Sequence, residues 1–207
     1  MKNLPRFLMV VAVLCLSSLF LFPMWKITLI APQYPNGVTM NIHINKIGGD
    51  TPGALQNINI LNHYIGMKKI EPDAIPELKY FPYVIIGLMV VGLLVAVVNH
   101  KSFYLGWVFL LFVLALLGIY DFYLWEYDYG HSLDTSAPMK FPGASFQPPL
   151  IGSKDIINFK AISLPHTGGY ISILAGILAM SAWWIKLKMN KINEKITSSS
   201  KFVMANK

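Results

Sequence analysis

The chain of 207 residues has a single cysteine, which excludes any intrachain disulfide. Cys15 lies inside an apolar run and reads as a small buried hydrophobe. Acidic residues are scarce too, ten against seventeen Lys and Arg. The interiors of the long apolar runs are free of charge, which argues against an ion or proton path made by this chain alone. There is no internal repeat, Walker loop, Rossmann fingerprint, His-Glu-x-x-His or Gly-x-Ser-x-Gly, so the nucleotide-binding, zinc-protease and serine-hydrolase classes have no motif to stand on.

What the chain has in abundance is apolar residues, 55% of the total, with a mean hydropathy of +0.51. That is too greasy for an ordinary soluble domain and points to a membrane protein. Four runs approach the ~20 residues that cross a hydrocarbon core of about 30 Å. They are Phe7 to Trp25, Tyr80 to Val98, Phe103 to Tyr120 and Gly169 to Leu187. The formal charge of +7 sits on the flanks of these runs, at Lys2 and Arg6, at Lys101 in the Asn99 to Ser102 turn, and on the lysines from Lys186 onward. Basic residues in short flanks mark the cytoplasmic side, so both termini are expected there and both long loops outside. The basic tail is then a topology signal that touches membrane lipid, and nucleic acid is not an expected partner.

The expected organisation is an anchor helix over 1–25, an outer loop over 26–79, a transmembrane hairpin over 80–120, a second outer loop over 121–168, a last span over 169–187 and a basic tail over 188–207. The run beginning at Phe7 has a signal-peptide flavour but no small-x-small cleavage site, so it is read as a retained anchor. In the first outer loop, Ile27 to Ala31 and Val38 to Ile44 read as strands around the turn-rich segment Pro32 to Gly37. His43 falls on the polar side of the second strand, whose apolar residues recur with period two. A turn over Ile47 to Gly53 then leads, with Thr51 as cap, into an Asn-rich helix from Ala54 that Gly66 and Pro72 bring to a close. Leu55, Ile58, Leu61 and Ile65 share one face of it. In the second outer loop, Trp125, Tyr127 and Tyr129 read as an interfacial belt, Pro142, Pro148 and Pro149 as a framework, and Lys154 to Phe159 as a short helix. Ser172/Gly176 and Ala175/Ala179 give the last span a close-packing face, and Ser198 to Ser200 reads as a flexible tail.

Four of the five histidines and Met40, Met67 and Met139 lie in these two loops. Asn59, His63 and Met67 follow at steps of four, so an imidazole and a thioether face the same way one turn apart, a donor pair suited to a soft ion such as Cu(I). The same spacing also fits a packed pair at a protein or lipid surface. A useful site needs a third donor, and His131, His43 or Met139 can supply one. Asp128 and His131, three apart, form a candidate carboxylate and imidazole pair, for which a structural hydrogen bond, a metal shell and a general base are the readings in that order.

The segments Asn59-Ile-Leu-Asn-His-Tyr-Ile-Gly-Met67, Tyr127-Asp-Tyr-Gly-His131 and Phe146-Gln-Pro-Pro-Leu-Ile-Gly-Ser-Lys154, with Asn158 and Phe159, resemble poorly characterised four-span bacterial membrane proteins encoded with nitrous-oxide-reductase maturation factors, beside the NosL-type copper chaperone. The resemblance spans most of both outer loops. It implies copper delivery or assembly for a periplasmic copper enzyme, with a copper chaperone or that enzyme as partner, and His63, Met67, Asp128 and His131 are the matching polar positions. The Cys-bearing lipoprotein motif of NosL is missing. The expected fold is thus an all-α membrane protein with four transmembrane helices and a small extracytoplasmic mixed α/β cap built from both loops. The expected function is a copper-handling maturation factor with Cu(I) as its metal. Against it stand a metal-free structural or docking subunit and, third, a membrane-bound enzyme.

Overall fold

In the computed structural model, which describes residues 3–139 and 145–205, three helices are long and apolar enough to cross a membrane. They are α3 (Glu77–Val98), α4 (Lys101–His131) and α5 (Thr167–Ala205). A fourth apolar helix, α1 (Leu4–Ser17), is shorter and runs on into a 3-10 turn at Ser18–Phe20. Fourteen α-helical residues rise about 21 Å. The expected first span to Trp25 is therefore cut short, because Trp25 already opens a strand. What α1 lacks in length it makes up in burial: Met9, Ala12, Val13 and Leu16 are shut off from solvent, mainly against α5 and α3. Close approach there depends on small residues. A Cβ on Gly92 would stand 2.5 Å from Val13 Cγ2. The buried row Ala175, Ala179, Ala182 does the same for α5. Trp107 donates its indole N–H to Leu88 O at 2.9 Å, satisfying its one polar atom in this apolar core.

The connection between α3 and α4 is tighter than the sequence implies, just Asn99 and His100, with Asn99 in the left-handed region at φ 54°. At the other end of the helices stands a five-stranded antiparallel sheet of order β3-β2-β1-β5-β4. Its strands are β1 (Trp25–Ala31), β2 (Tyr34–Ile42), β3 (Ile47–Gly49), β4 (Gly152–Ile156) and β5 (Phe159–Pro165). The central strand β1 pairs with β2 from its own loop and with β5 from the other, so the two loops build one sheet. Ile27, Leu29 and Ala31 of β1 and Val38, Met40 and Ile42 of β2 alternate inward. Helix α2 (Ala54–Ile65) lays Ala54, Ile58 and Ile65 on that face, and Phe146, Ile156 and Ala161 of the second loop complete the core.

Several local expectations are corrected. Lys154 to Phe159 is not a helix: it is the hairpin of β4 and β5, turning through Ile157 and Asn158 with Ile157 at φ 55°. Six residues bury too little as a helix, whereas pairing β4 with β5, itself held on β1, satisfies a row of backbone groups. The turn expected over Ile47 to Gly53 contains strand β3, and β2 begins at Tyr34. Gly53, in the left-handed region, occupies the N-cap of α2, and Thr51 makes no side-chain cap there. Helix α4 continues past Tyr120 through the aromatic belt to His131, because nothing breaks it and ring pairs one turn apart brace it, Trp125 with Tyr129 at 4.4 Å and Tyr127 with His131 at 4.0 Å. Its 31 residues reach about 46 Å, well beyond what a bilayer core needs. The turns from Phe122 onward pack on the sheet's core. Helix α5 likewise runs through Ser198 to Ser200, since no glycine or proline follows Gly176. Pro142 lies outside the described residues.

Candidate functional site

Between the sheet, α2 and the last turns of α4 is a cavity of about 480 Å³. That volume suits a small organic ligand. Ile27, Leu29 and Met40 form its floor, Ile58, Ile65 and Met67 one wall, and Trp125, Tyr129 and Phe146 another. Tyr64 and Met139, both nearly half exposed, stand at its rim. Met139 is set there by its N–H, which donates to Tyr64 O at 3.0 Å, and Asp134 N–H donates to Gly66 O at 2.8 Å. The segment after α4 is thereby strapped across the end of α2.

Among the residues around this apolar space is Glu126. It is 1% exposed, and neither carboxylate oxygen has a hydrogen-bond partner among the described residues. Glu126 sits on the part of α4 that packs on the sheet, beyond the membrane-crossing turns. Burial without a compensating charge pushes its pKa up to about 8. Buried polar groups in native proteins are nearly always satisfied, so an orphaned carboxyl in a cavity is a mark of function. Among the described residues, no Lys, Arg or His lines the cavity.

The sequence-derived candidates are dispersed around this cavity. Helix α2 ends at Ile65, and Gly66, at φ 81°, turns the chain away; Met67 N–H donates back to Asn62 O at 2.9 Å. Met67 is thus not one helical turn beyond His63. His63 is exposed on the outer side, where it shares a shallow groove with Met67, Asn59 and Lys69. Asn59 itself is structural, its amide donating to Ile70 O at 3.1 Å and accepting from Ile70 N–H at 2.8 Å. His131 stacks on Tyr127, with Nδ1 3.0 Å from Tyr127 O. Asp128 turns from it to accept hydrogen bonds from Lys68 at 2.7 Å and Ser132 at 2.8 Å, which hold its carboxyl below the usual range. The pair expected from Asp128 and His131 is therefore replaced by an ion pair between the two loops. His43 follows β2, beside His166 and Lys46; burial first, then those charges, lowers its pKa.

Two candidates do converge. Met67 and Met139 line the same cavity, and Met40 joins them. Among the described residues, no three His, Cys, Asp or Glu side chains are grouped as metal ligands. In the sequence Glu126 reads, with Asp128, His131 and Asp134, as a donor of the second outer loop, and its burial is what the structure adds. Once the helix is continued past Tyr120, Phe122, Trp125, Glu126 and Tyr129 share one face, and an acid on an otherwise apolar face is the signal that finds it.

Compared with protein-family models, with curated proteins and with solved structures, the chain has no match.

Proposed function

We propose that the chain is a multi-pass membrane protein whose cap is a binding and docking module: an apolar small molecule enters the cavity and Glu126 orients it. The observation that carries this is the buried Glu126 carboxyl, without a hydrogen-bond partner among the described residues, beside a cavity of about 480 Å³ whose other described lining residues are uncharged. The experiment is a titration of the protein in lipid nanodiscs with 4-phenyl-1-butanol, read by calorimetry. Saturable binding that disappears in Ile58→Phe, which fills the cavity, supports the reading; an identical response from both proteins overturns it.

A second reading follows the resemblance: a periplasm-facing copper-handling or assembly factor for the maturation of a copper enzyme such as nitrous oxide reductase. The observation that favours it is the presence of three thioethers, Met40, Met67 and Met139, on one cavity. Soft sulfur donors select Cu(I) over harder ions. On this reading the ligands are the methionines, and His63, His131 and His43 serve elsewhere. Competition with a Cu(I) chelator tests it. Loss of copper in Met67→Leu and Met139→Leu, with retention in His63→Ala, supports the thioether site, and equal retention by all three removes it.

A further inference from the structure

We infer that the cavity ligand is an apolar amine, bound as its ammonium form with Glu126 as counter-ion. This rests on the binding reading above and names its ligand class.

The argument is one of complementarity. The described lining offers ring faces in Trp125, Tyr129 and Phe146, aliphatic walls, and one carboxyl, that of Glu126. With no Lys, Arg or His among the described residues of the lining, an anionic ligand would meet the Glu126 carboxyl with no cation to offset it, so anions are disfavoured. A wholly apolar ligand fills the space but leaves both Glu126 oxygens without a partner among the described residues, forfeiting the ionic interaction open to a cation. An ammonium group satisfies them with a charge-assisted hydrogen bond and is attracted by adjacent ring faces as well. Tyr129 is not free to compete for Glu126, because its hydroxyl already donates to Lys69 O at 3.3 Å. Lys68, from the neighbouring loop, is engaged by Asp128 at 2.7 Å.

The proton balance follows. In the empty cavity Glu126 is held as the neutral acid, since nothing compensates a charge there. An arriving ammonium ion favours the carboxylate, so Glu126 gives its proton to solvent and the neutral acid plus cation become an ion pair plus one hydron. No bond other than the carboxyl O–H is broken.

The test compares 4-phenylbutylamine, 4-phenyl-1-butanol and 4-phenylbutyrate with the full chain in nanodiscs of zwitterionic lipid, for wild type and Glu126→Gln. The amine is expected to bind at least tenfold more tightly than the alcohol, and the acid weakest. At pH 7 amine binding should release close to one proton, measured in two buffers of different ionisation enthalpy. In Glu126→Gln the amine should fall to the alcohol's affinity while the alcohol changes by less than about twofold, which shows that the cavity remains intact. Equal affinity of amine and alcohol in wild type, or an amine preference that survives Glu126→Gln, overturns the amine assignment and leaves the cavity reading standing. Failure of all three ligands to bind removes both.

Discussion

Gly130, one residue from the end of α4, touches the backbone of Gln147: a Cβ built on it would stand 2.5 Å from both Gln147 N and Gln147 Cα. Alongside, Phe146 N–H donates to Gly130 O at 3.0 Å. This contact fastens the second loop to the helix and sets Phe146, 2% exposed, into the cavity wall. Helix propensity alone makes Gly→Ala favourable by about 1 kcal/mol. The contact reverses the sign: Gly130→Ala should destabilise the cap by about 1–3 kcal/mol, as overpacking against rigid backbone does. Thermal unfolding in detergent measures this, and a stabilised Gly130→Ala would mean that the two segments do not meet.

Glu126 makes the cap's stability depend on pH. Its folded pKa, about 8, lies above the ordinary value of 4.5. The folded state therefore holds its proton more tightly than the unfolded chain. The stability associated with the protonated carboxyl is fully present below about pH 4.5 and is lost as pH rises from there to about 8, with a slope approaching 1.4 kcal/mol per pH unit. Melting temperatures of wild type should fall across that window relative to Glu126→Gln, which has nothing to titrate there. Parallel pH profiles of the two proteins would show that Glu126 is solvated.

How much of this was legible in the sequence follows the physics of each element. The long spans declare themselves because backbone in lipid must be helical and twenty apolar residues leave little choice. The strands at Ile27 and Val38 showed because one face is buried and the period is two. The β4–β5 hairpin was misread because Lys154 to Phe159 carries no strong local preference; its strand character comes from β1, more than a hundred residues away. Met67 was placed on a helix face because spacing of four assumes an unbroken helix, and Gly66 ends it. The burial of Glu126 was hidden for the opposite reason: α4 does not stop where its apolar run stops, and only the continued helix turns that acid inward.

The ion pair between Lys68 and Asp128 joins the two loops, yet both side chains are about half exposed, at 49% and 51%. Exposed pairs contribute about 0.2–1 kcal/mol and are screened by salt. Asp128→Asn should therefore lower stability by less than about 1 kcal/mol at low ionic strength and by still less in high salt. Because Asp128 is held below the usual carboxylate range, its contribution is present at neutral pH and is lost only as pH falls through that lowered value. A loss as large as that of Gly130→Ala, unaffected by salt, would contradict this account and make the pair a central support of the cap.

The last prediction concerns orientation. The four apolar helices meet the sheet at one end: α1 leads into β1, β5 leads into α5, α3 starts and α4 finishes there. The opposite end collects Arg6 near the start of α1, Lys101 at the first residue of α4, and Lys188, Lys191 and Lys195 on the extension of α5. Basic residues next to membrane spans are retained on the cytoplasmic side, where they also meet anionic lipid. The cap, with its cavity and its three methionines, should then face the periplasm. A fluorescent protein fused after Lys207 should glow, since it folds in the cytoplasm, whereas alkaline phosphatase at the same point should be inactive and alkaline phosphatase inserted at the exposed Ile157 to Asn158 turn active. The reverse pattern would place the cap in the cytoplasm. Copper delivery to a periplasmic enzyme would then lose its geometry, while amine binding in the cavity, which depends only on Glu126 and its walls, would be unaffected.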